Sequence, residues 1–241
     1  MKIKKRILIY PLVIMGVLLM ITSSCKKDEN SSNNNPTVTD IDGNVYHTIT
    51  IGTQTWMVEN LKTTKYRNGV SIPNVTANTT WNNLKTGAYC DYNNDANNSA
   101  TYGKLYNWYA INNNLAPEGW HVPTDAEWTT LTKYFGGESI AGGYLKESGT
   151  SHWNDPNIVT SVPWTDPYQG LSTNKNEFKA LPGGHRNIDG FYNIGYFGYW
   201  WSSTSGADTD FGNYRYMYNN YKGILSNQSH IVGFSVRCIK D

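Results

Sequence analysis

Charged side chains are scarce in this chain: they make up 16% of its 241 residues and balance to a formal net charge of +1. That leaves no basic field to draw a nucleic-acid backbone and no acidic tail, so a nucleic-acid partner is excluded. Cysteine is scarcer still, with three residues, and neither Cys90 nor Cys238 has a second cysteine or a histidine at metal-ligand spacing. The sequence contains no Gly-x-Ser-x-Gly elbow and no phosphate loop. His121, His152, His185 and His230 are scattered, without the paired spacing of a metal-binding helix, and read as surface or hydrogen-bonded histidines. One apolar run stands out, residues 7–21. It falls short of the ~18–20 residues a spanning helix needs, and Pro11 and Gly16 interrupt it.

That run sits in an ordered series. Met1 to Arg6 carry four positive charges, the apolar stretch follows, and Thr22, Ser23 and Ser24 precede Cys25. Basic, apolar, then small residues is the order of a secretory signal. The stretch around Cys25 resembles the lipobox of bacterial lipoproteins, with Thr22 where leucine is usual and Ile21 one place earlier. The resemblance implies that Cys25 is acylated and becomes the new N-terminus. Lys26, Lys27, Asp28 and Glu29 resemble a surface-export tag, or form a solvated tether. Asn30 to Thr37 has almost nothing to bury and reads as a linker. The expected organisation is a signal peptide over 1–24, a lipidated cysteine and linker over 25–37, and one domain over 38–241. The expected location is the outer membrane, on the cell-surface side in preference to the periplasmic side.

Nine tryptophans and eighteen tyrosines give the domain its character. Aromatics of this kind fill cores or build recognition surfaces. With Cys25 set aside for lipid, Cys90 and Cys238 form an even pair in an oxidising compartment. They are a disulfide candidate, the alternative being two buried thiols.

Along the domain, Asp42-Gly43 and Gly52-Thr53 are turn signals. Between them Val45, His47, Ile49 and Ile51 alternate with Tyr46, Thr48 and Thr50, which predicts an apolar face carrying Val45 and Ile49. Two helices are predicted. Tyr102 to Ile111 places Leu105, Trp108 and Tyr109 on one face. The second starts at Thr124, a good N-cap, with Glu127 completing a capping box and Trp128, Leu131 and Phe135 spaced to face one way; Gly136-Gly137 stops it. From Phe178 onward, short aromatic runs between Gly183-Gly184, Asp189-Gly190, Gly206 and Gly223 read as antiparallel strands. A last strand over 231–239 turns Val232, Phe234, Val236 and Cys238 to one side. Early helices with strands on either side make the class α+β.

Three stretches carry a family likeness. They are Asp40-Ile41-Asp42-Gly43-Asn44-Val45-Tyr46 with Trp56-Met57-Val58-Glu59-Asn60-Leu61; Tyr102-Gly103-Lys104-Leu105-Tyr106-Asn107-Trp108-Tyr109-Ala110 with Gly119-Trp120-His121-Val122-Pro123-Thr124; and Gly233-Phe234-Ser235-Val236-Arg237-Cys238. Together they are similar to the Fibrobacter succinogenes major paralogous domain (FISUMP). That family in turn resembles the C-type-lectin-like fold of formylglycine-generating enzymes, which implies two helices packed on twisted antiparallel strands. Formylglycine generation needs a cysteine pair in the C-terminal half, where this chain has Cys238 alone. Related sulfoxide synthases use three clustered histidines. A non-catalytic domain is therefore expected.

Two binding possibilities remain. Asp91, Asn93, Asp95 and Asn97 alternate like the oxygen ligands of a calcium loop, but Ala96 and Tyr102 stand where glycine and a bidentate glutamate belong. No cofactor is expected apart from that possible calcium. Tyr199, Trp200 and Trp201, followed by Tyr214, Tyr216 and Tyr218 at strand alternation, are candidate ligand contacts if their face is open, and core if it is closed. Adjacent Trp200 and Trp201 must point to opposite faces of a regular strand. The function expected is recognition of an extracellular glycan or protein by a lipid-tethered domain, or alternatively envelope assembly.

Overall fold

Turn chemistry organises the start of the domain as its sequence predicts. In the computed structural model, which describes residues 36–112, 114–154, 177–208 and 210–241, strands β1 (Thr37–Thr39), β2 (Val45–Ile51) and β3 (Gln54–Met57) form an antiparallel meander through those two turns. The chain divides after Asn34, and every described residue belongs to the unit Asn35–Asp241. Cys25 and the rest of the proposed leader lie outside the described residues.

The first half of β2 buries the face opposite to the one its alternation predicts, whereas Ile51 at its end is buried as expected and Ile49 packs beside it. Val45 is 53% exposed while Tyr46 is fully buried. Burial of Tyr46 is possible because its hydroxyl is satisfied twice: it donates to Asp40 Oδ2 at 2.6 Å and accepts from Lys62 N–H at 2.9 Å. His47, on the open face, bonds Glu59 instead.

Helix α1 (Asn78–Asn82), β4 (Tyr89–Cys90) and α2 (Ala96–Tyr102) follow. The helix expected over 102–111 is not formed. Gly103 (φ +74) ends α2, packed so closely that an added Cβ would stand 2.7 Å from Asn60 Cβ. The chain continues as β5 (Leu105–Asn107) and one 3₁₀ turn, Trp108–Ala110. Pairing of β5 with β4 on one side and with β12 (Gly233–Phe234) on the other overrides the local helical spacing. After β6 (Trp120–His121) comes α3 (Asp125–Tyr134), which matches expectation. Thr124 Oγ1 accepts from Glu127 N–H, Glu127 Oε2 accepts from Thr124 N–H, and Gly136 and Gly137 follow at positive φ.

Helix α4 (Glu138–Leu145) has no counterpart in the sequence reading, because Gly142 and Gly143 look like breakers. Contact explains them: a Cβ on Gly142 would meet Gly223 O at 2.1 Å. Next come β7 (Gly183–Asn187), β8 (Gly190–Ile194), β9 (Phe197–Ser205), β10 (Gly212–Tyr218) and β11 (Leu225–Ser229), then β12, and finally β13 (Ile239–Lys240). Gly183-Gly184 lies inside β7 rather than in a turn, while Asp189-Gly190 does turn the β7–β8 hairpin. The segment expected as one last strand is split: β12 joins one sheet and β13 the other.

The fold class anticipated from the lectin-like resemblance is corrected by this architecture. The described residues form four α-helices and thirteen strands in two sheets, ordered β1-β2-β3-β13-β6 and β11-β10-β9-β7-β12-β5-β4, with β8 on β7. They are not two helices on a single antiparallel layer, and β7 and β9 run parallel. Short strands of two or three residues escape periodicity arguments, since pairing rather than pattern defines them.

One face of the larger sheet packs on α3 and α4. Alternation along β10 turns Arg215 and Met217 to that side, fully or nearly buried. Arg215 donates to Asp125 Oδ1 from Nε (3.1 Å) and Nη2 (2.7 Å), to Thr129 Oγ1, and to Glu138 Oε1. One guanidinium thus joins the first turns of both helices to the sheet.

The disulfide candidate is also corrected. Cys90 and Cys238 are both free and buried. Cys90 packs with Trp81, Ala88 and Leu105, whereas Cys238 packs with Tyr46, Met57 and Val236 in a separate cluster. Burial pushes the Cys90 thiol up to about 12, and the Cys238 thiol is raised as well.

Two outcomes are expected. The native protein will leave Cys90 and Cys238 unlabelled by a thiol reagent that modifies both after denaturation, with no mass change on reduction; a native 2 Da increase on reduction (about one disulfide) would contradict the packing. Arg215→Met will lower the unfolding free energy in urea by about 3 kcal/mol, because two carboxylates lose their cation; a loss below about 1 kcal/mol, the range of a surface pair, would show that the lock carries little.

Candidate ligand-binding site

The opposite face of the same sheet is aromatic. Register sets Phe197 against Tyr218, Tyr199 against Tyr216, and Trp201 against Tyr214 across β9 and β10. The alternation expected for the tyrosines therefore holds. Trp200 and Trp201 do point opposite ways, and both are fully buried. Trp200 donates from Nε1 to Asn60 Oδ1 (2.8 Å) on the helix side; Trp201 donates to Tyr106 O (2.8 Å) beneath the aromatic face. Neither tryptophan is available to a ligand. Gly198 lies between the pairs on the helix side, where a Cβ would meet the Trp200 ring at 2.3 Å.

Tyr199, Tyr214, Tyr216 and Tyr218 are half-buried. Ring planes are nearly parallel: Tyr199 with Phe234 at 5.0 Å and 9°, Tyr199 with Tyr216 at 5.8 Å and 21°, Tyr218 with Tyr221 at 5.1 Å and 13°. Coplanar rings side by side would collide at these separations, so the rings are offset-stacked. Their faces are consumed by one another. Each of the four tyrosines keeps part of its surface open to solvent.

The row is wider than the sequence reading found. Tyr192 on β8 stands opposite His185 on β7, the His185 ring meets Tyr199 edge-on at 4.9 Å, and Tyr216 stands opposite Leu225 on β11. Five strands at ~4.8 Å spacing make this about 19 Å across. Tyr192 is 42% exposed at one end; Tyr196, 44% exposed, lies in the β8–β9 turn beside Asn219. The Asp189-Gly190 turn fixed the His185–Tyr192 register, so a signal for both residues was present. Phe234, in the closing segment, forms the floor.

The phenols and His185 of the face are uncharged at neutral pH, and the Asp189 carboxylate at its end raises the Tyr192 phenol by accepting its hydrogen bond. Burial pushes the Tyr199 phenol up to about 12, Tyr214 and Tyr218 are raised too, and burial pushes His185 down to about 4. Asn193 donates to the Tyr199 hydroxyl at 3.4 Å. A stacked, uncharged row of phenols can donate and accept hydrogen bonds over an apolar floor.

The possible calcium loop is occupied by protein groups. Asp91 is buried, accepts from the Ser99 hydroxyl and pairs with Lys104 at 2.8 Å. Asp95 caps α2, accepting from the Asn97 N–H at 3.0 Å, and Asn93 takes a left-handed turn conformation. The four candidates thus serve a helix start, a turn and an ion pair. The histidines stay dispersed: His152 pairs with Glu147 and His230 packs on Phe211. A separate open groove of about 850 Å³ lies between Ile41, Arg67, Asn114, Glu118 and Asp241, away from the aromatic row.

His121 is clamped between Asp241 (Nδ1 to Oδ1, 2.7 Å) and Glu127 (Nε2 to Oε1, 2.9 Å). Burial alone would lower its pKa, but the two carboxylates outweigh that and raise it. A raised folded value means the clamp stabilises fully below the unfolded imidazole pKa and fades as pH rises through the folded one. The urea stability of wild type relative to His121→Gln should therefore be greatest at about pH 5, below the unfolded imidazole value, and shrink steadily as pH rises above that value. A gap that stays constant over that rise would contradict a protonated clamp.

Comparison with curated proteins finds no match, and neither does comparison with solved structures. Comparison with protein families matches the Fibrobacter succinogenes major domain over residues 49–240. That span runs from inside β2 to the end of β13, through both sheets, all four helices and the aromatic row. The chain is a member of the Fibrobacter succinogenes major domain family.

Proposed function

We propose that this protein is a lipid-anchored envelope protein whose domain recognises an extracellular, uncharged glycan on the hydroxyl-edged aromatic face. The signal-like order before Cys25 supports the anchor, and among the described residues no helix is long and apolar enough to cross a membrane. The observation that carries recognition is the row Tyr192–His185–Tyr199–Tyr216, continued by Tyr218 and Tyr221. It offers hydroxyls without charge, and a polyol is the complementary partner: each phenol both donates and accepts, over a floor that can take C–H groups. The buried thiols, both held as thiols, support binding over cysteine chemistry.

An assembly role has one observation in its favour. Strand β11 is a sheet edge of five uncharged residues, Leu225–Ser229, without proline, and such edges accept further strands. Concentration-dependent self-association in the absence of glycan would favour it.

The detergent-solubilised full-length protein should bind neutral glycans on an array. Replacing Tyr216, Tyr218 and Tyr221 together by phenylalanine keeps the stack and removes the hydroxyls. It should weaken that binding about tenfold or more with an unchanged melting temperature, one hydrogen bond being worth about 1 kcal/mol. Retained affinity in the triple variant, or an array with no neutral glycan bound, would sink the reading.

A further inference from the structure

Helix α4 runs along the loop between β10 and β11. Ile224 N–H donates to Glu138 O at 2.8 Å and Gly143 N–H to Lys222 O at 2.6 Å. With the Gly142–Gly223 approach, these contacts fix the far half of the loop. The near half carries Tyr218 and Tyr221. Asn219 tethers it through N–H to Tyr196 O and Nδ2 to Asn154 O. Tyr218 pairs with Phe197 and stacks on its ring, and a single lysine side chain gathers the loop's carbonyls.

Lys146 closes the C-terminus of α4 and is 4% exposed. Its Nζ donates to the carbonyls of Tyr218 (2.5 Å), Tyr221 (2.6 Å) and, more weakly, Asn219 (3.4 Å). The Trp153 ring lies 4.9 Å away. Among the described residues no carboxylate pairs with it. An ammonium has three donors and no acceptor, and here all three are spent on carbonyls of a single loop. Burying a charge without a counter-charge is costly, and a methionine would fill the same space at no such cost. Stability of the core alone therefore does not account for a lysine at this position. The three carbonyls it gathers belong to the segment that sets the outer end of the tyrosine row.

We infer that Lys146 is the positioning residue of the binding face: its ammonium holds the Tyr218–Tyr221 loop in the one geometry that stacks those two rings and lines their hydroxyls up with Tyr216. The inference rests on the aromatic row being the recognition surface, and it places a specificity determinant behind that surface, out of reach of any ligand. Its reach spans both rings, because Tyr218 and Tyr221 are the first and last residues whose carbonyls it binds; Tyr218 is also paired with Phe197 on β9, so Tyr221 depends on it most.

The test uses the full-length protein without ligand. Tetranitromethane nitration of Tyr218 and Tyr221 is followed by peptide mapping, with Tyr192 at the other end of the row and Tyr134 on α3, both exposed, as internal references, and the near-UV circular dichroism of the tyrosines is recorded alongside. In Lys146→Met, nitration at Tyr218 and Tyr221 should rise about tenfold relative to the references, as expected for a local opening of the loop, and the tyrosine dichroism should fall. An unchanged ratio, or an equal rise at all four tyrosines, would overturn the positioning role. Should that variant fail to fold, hydrogen exchange of the wild type decides. The Tyr221 amide should be protected to the level of the β10 and β11 amides; exchange at the rate of an open loop would overturn the inference. Neither readout contains a ligand, so a blank glycan array would sink the recognition reading and leave this result standing.

Discussion

The aromatic face depends on what Arg215 does behind it. A strand has two faces, and β10 puts a buried guanidinium on one and tyrosines on the other at strict alternation. Arg215 cannot move without abandoning Asp125, Glu138 and Thr129, so Tyr214 and Tyr216, its neighbours in sequence, are fixed with it. The two helix starts that supply the carboxylates are themselves fixed by sequence: Thr124 and Glu127 cap α3, and Gly137 at positive φ opens α4. A charge inside a core is normally a liability. Here it makes one register of β10 far better than the next, since a slip by one residue would bury a phenol against carboxylates and expose the arginine.

The same logic recurs. Arg237 is fully buried over the Phe178 ring at 4.3 Å and donates to Asn60 Oδ1, the atom that also receives Trp200 Nε1. Burial pushes its pKa down to about 9, and the carbonyl of Phe178 and the Asn60 amide offset that cost. Arg186 stacks on Trp81 at 4.4 Å and donates to Val75 O and Thr76 O. Three internal guanidinium groups, each spent on backbone or amide oxygen or on helix-start carboxylates, tie irregular segments to strands. That is how a chain with few long helices and many two-residue strands holds a single arrangement.

Legibility followed the locality of the signal. The capping box at Thr124, the turns at Asp42-Gly43 and Asp189-Gly190, and the one-sided alternation of Tyr214, Tyr216 and Tyr218 are set by neighbours a few residues away, and all were readable. The start of β2 was misread, though not its end at Ile51, because hydropathy ranks Val45 above Tyr46, while burial went to the residue whose hydroxyl finds Asp40 and Lys62. The helix expected at Leu105 gave way to pairing with Phe234, some 130 residues on. Helix α4 was hidden by two glycines, of which Gly142 serves a close contact with Gly223 and Gly143 bonds Lys222 O. In the candidate site, the tyrosines were legible from parity, but His185, Tyr192 and Phe234 needed strand order, and Lys146 needed the loop that it holds. The disulfide expectation failed for a related reason: compartment and parity of count say nothing about which core cluster each cysteine joins.

Recognition through the edges of stacked phenols is the claim on which the functional account stands. Its most direct measurement is a titration of the protein carrying ¹³C-labelled tyrosine rings with a mixture of neutral oligosaccharides, read residue by residue by NMR. The account predicts shift changes at Tyr192, Tyr199, Tyr216, Tyr218 and Tyr221, with Tyr46 and Tyr106 in the core unchanged. Changes confined to tyrosines off this face, such as Tyr66 near the Arg67 groove, or no change at saturating oligosaccharide, would contradict it.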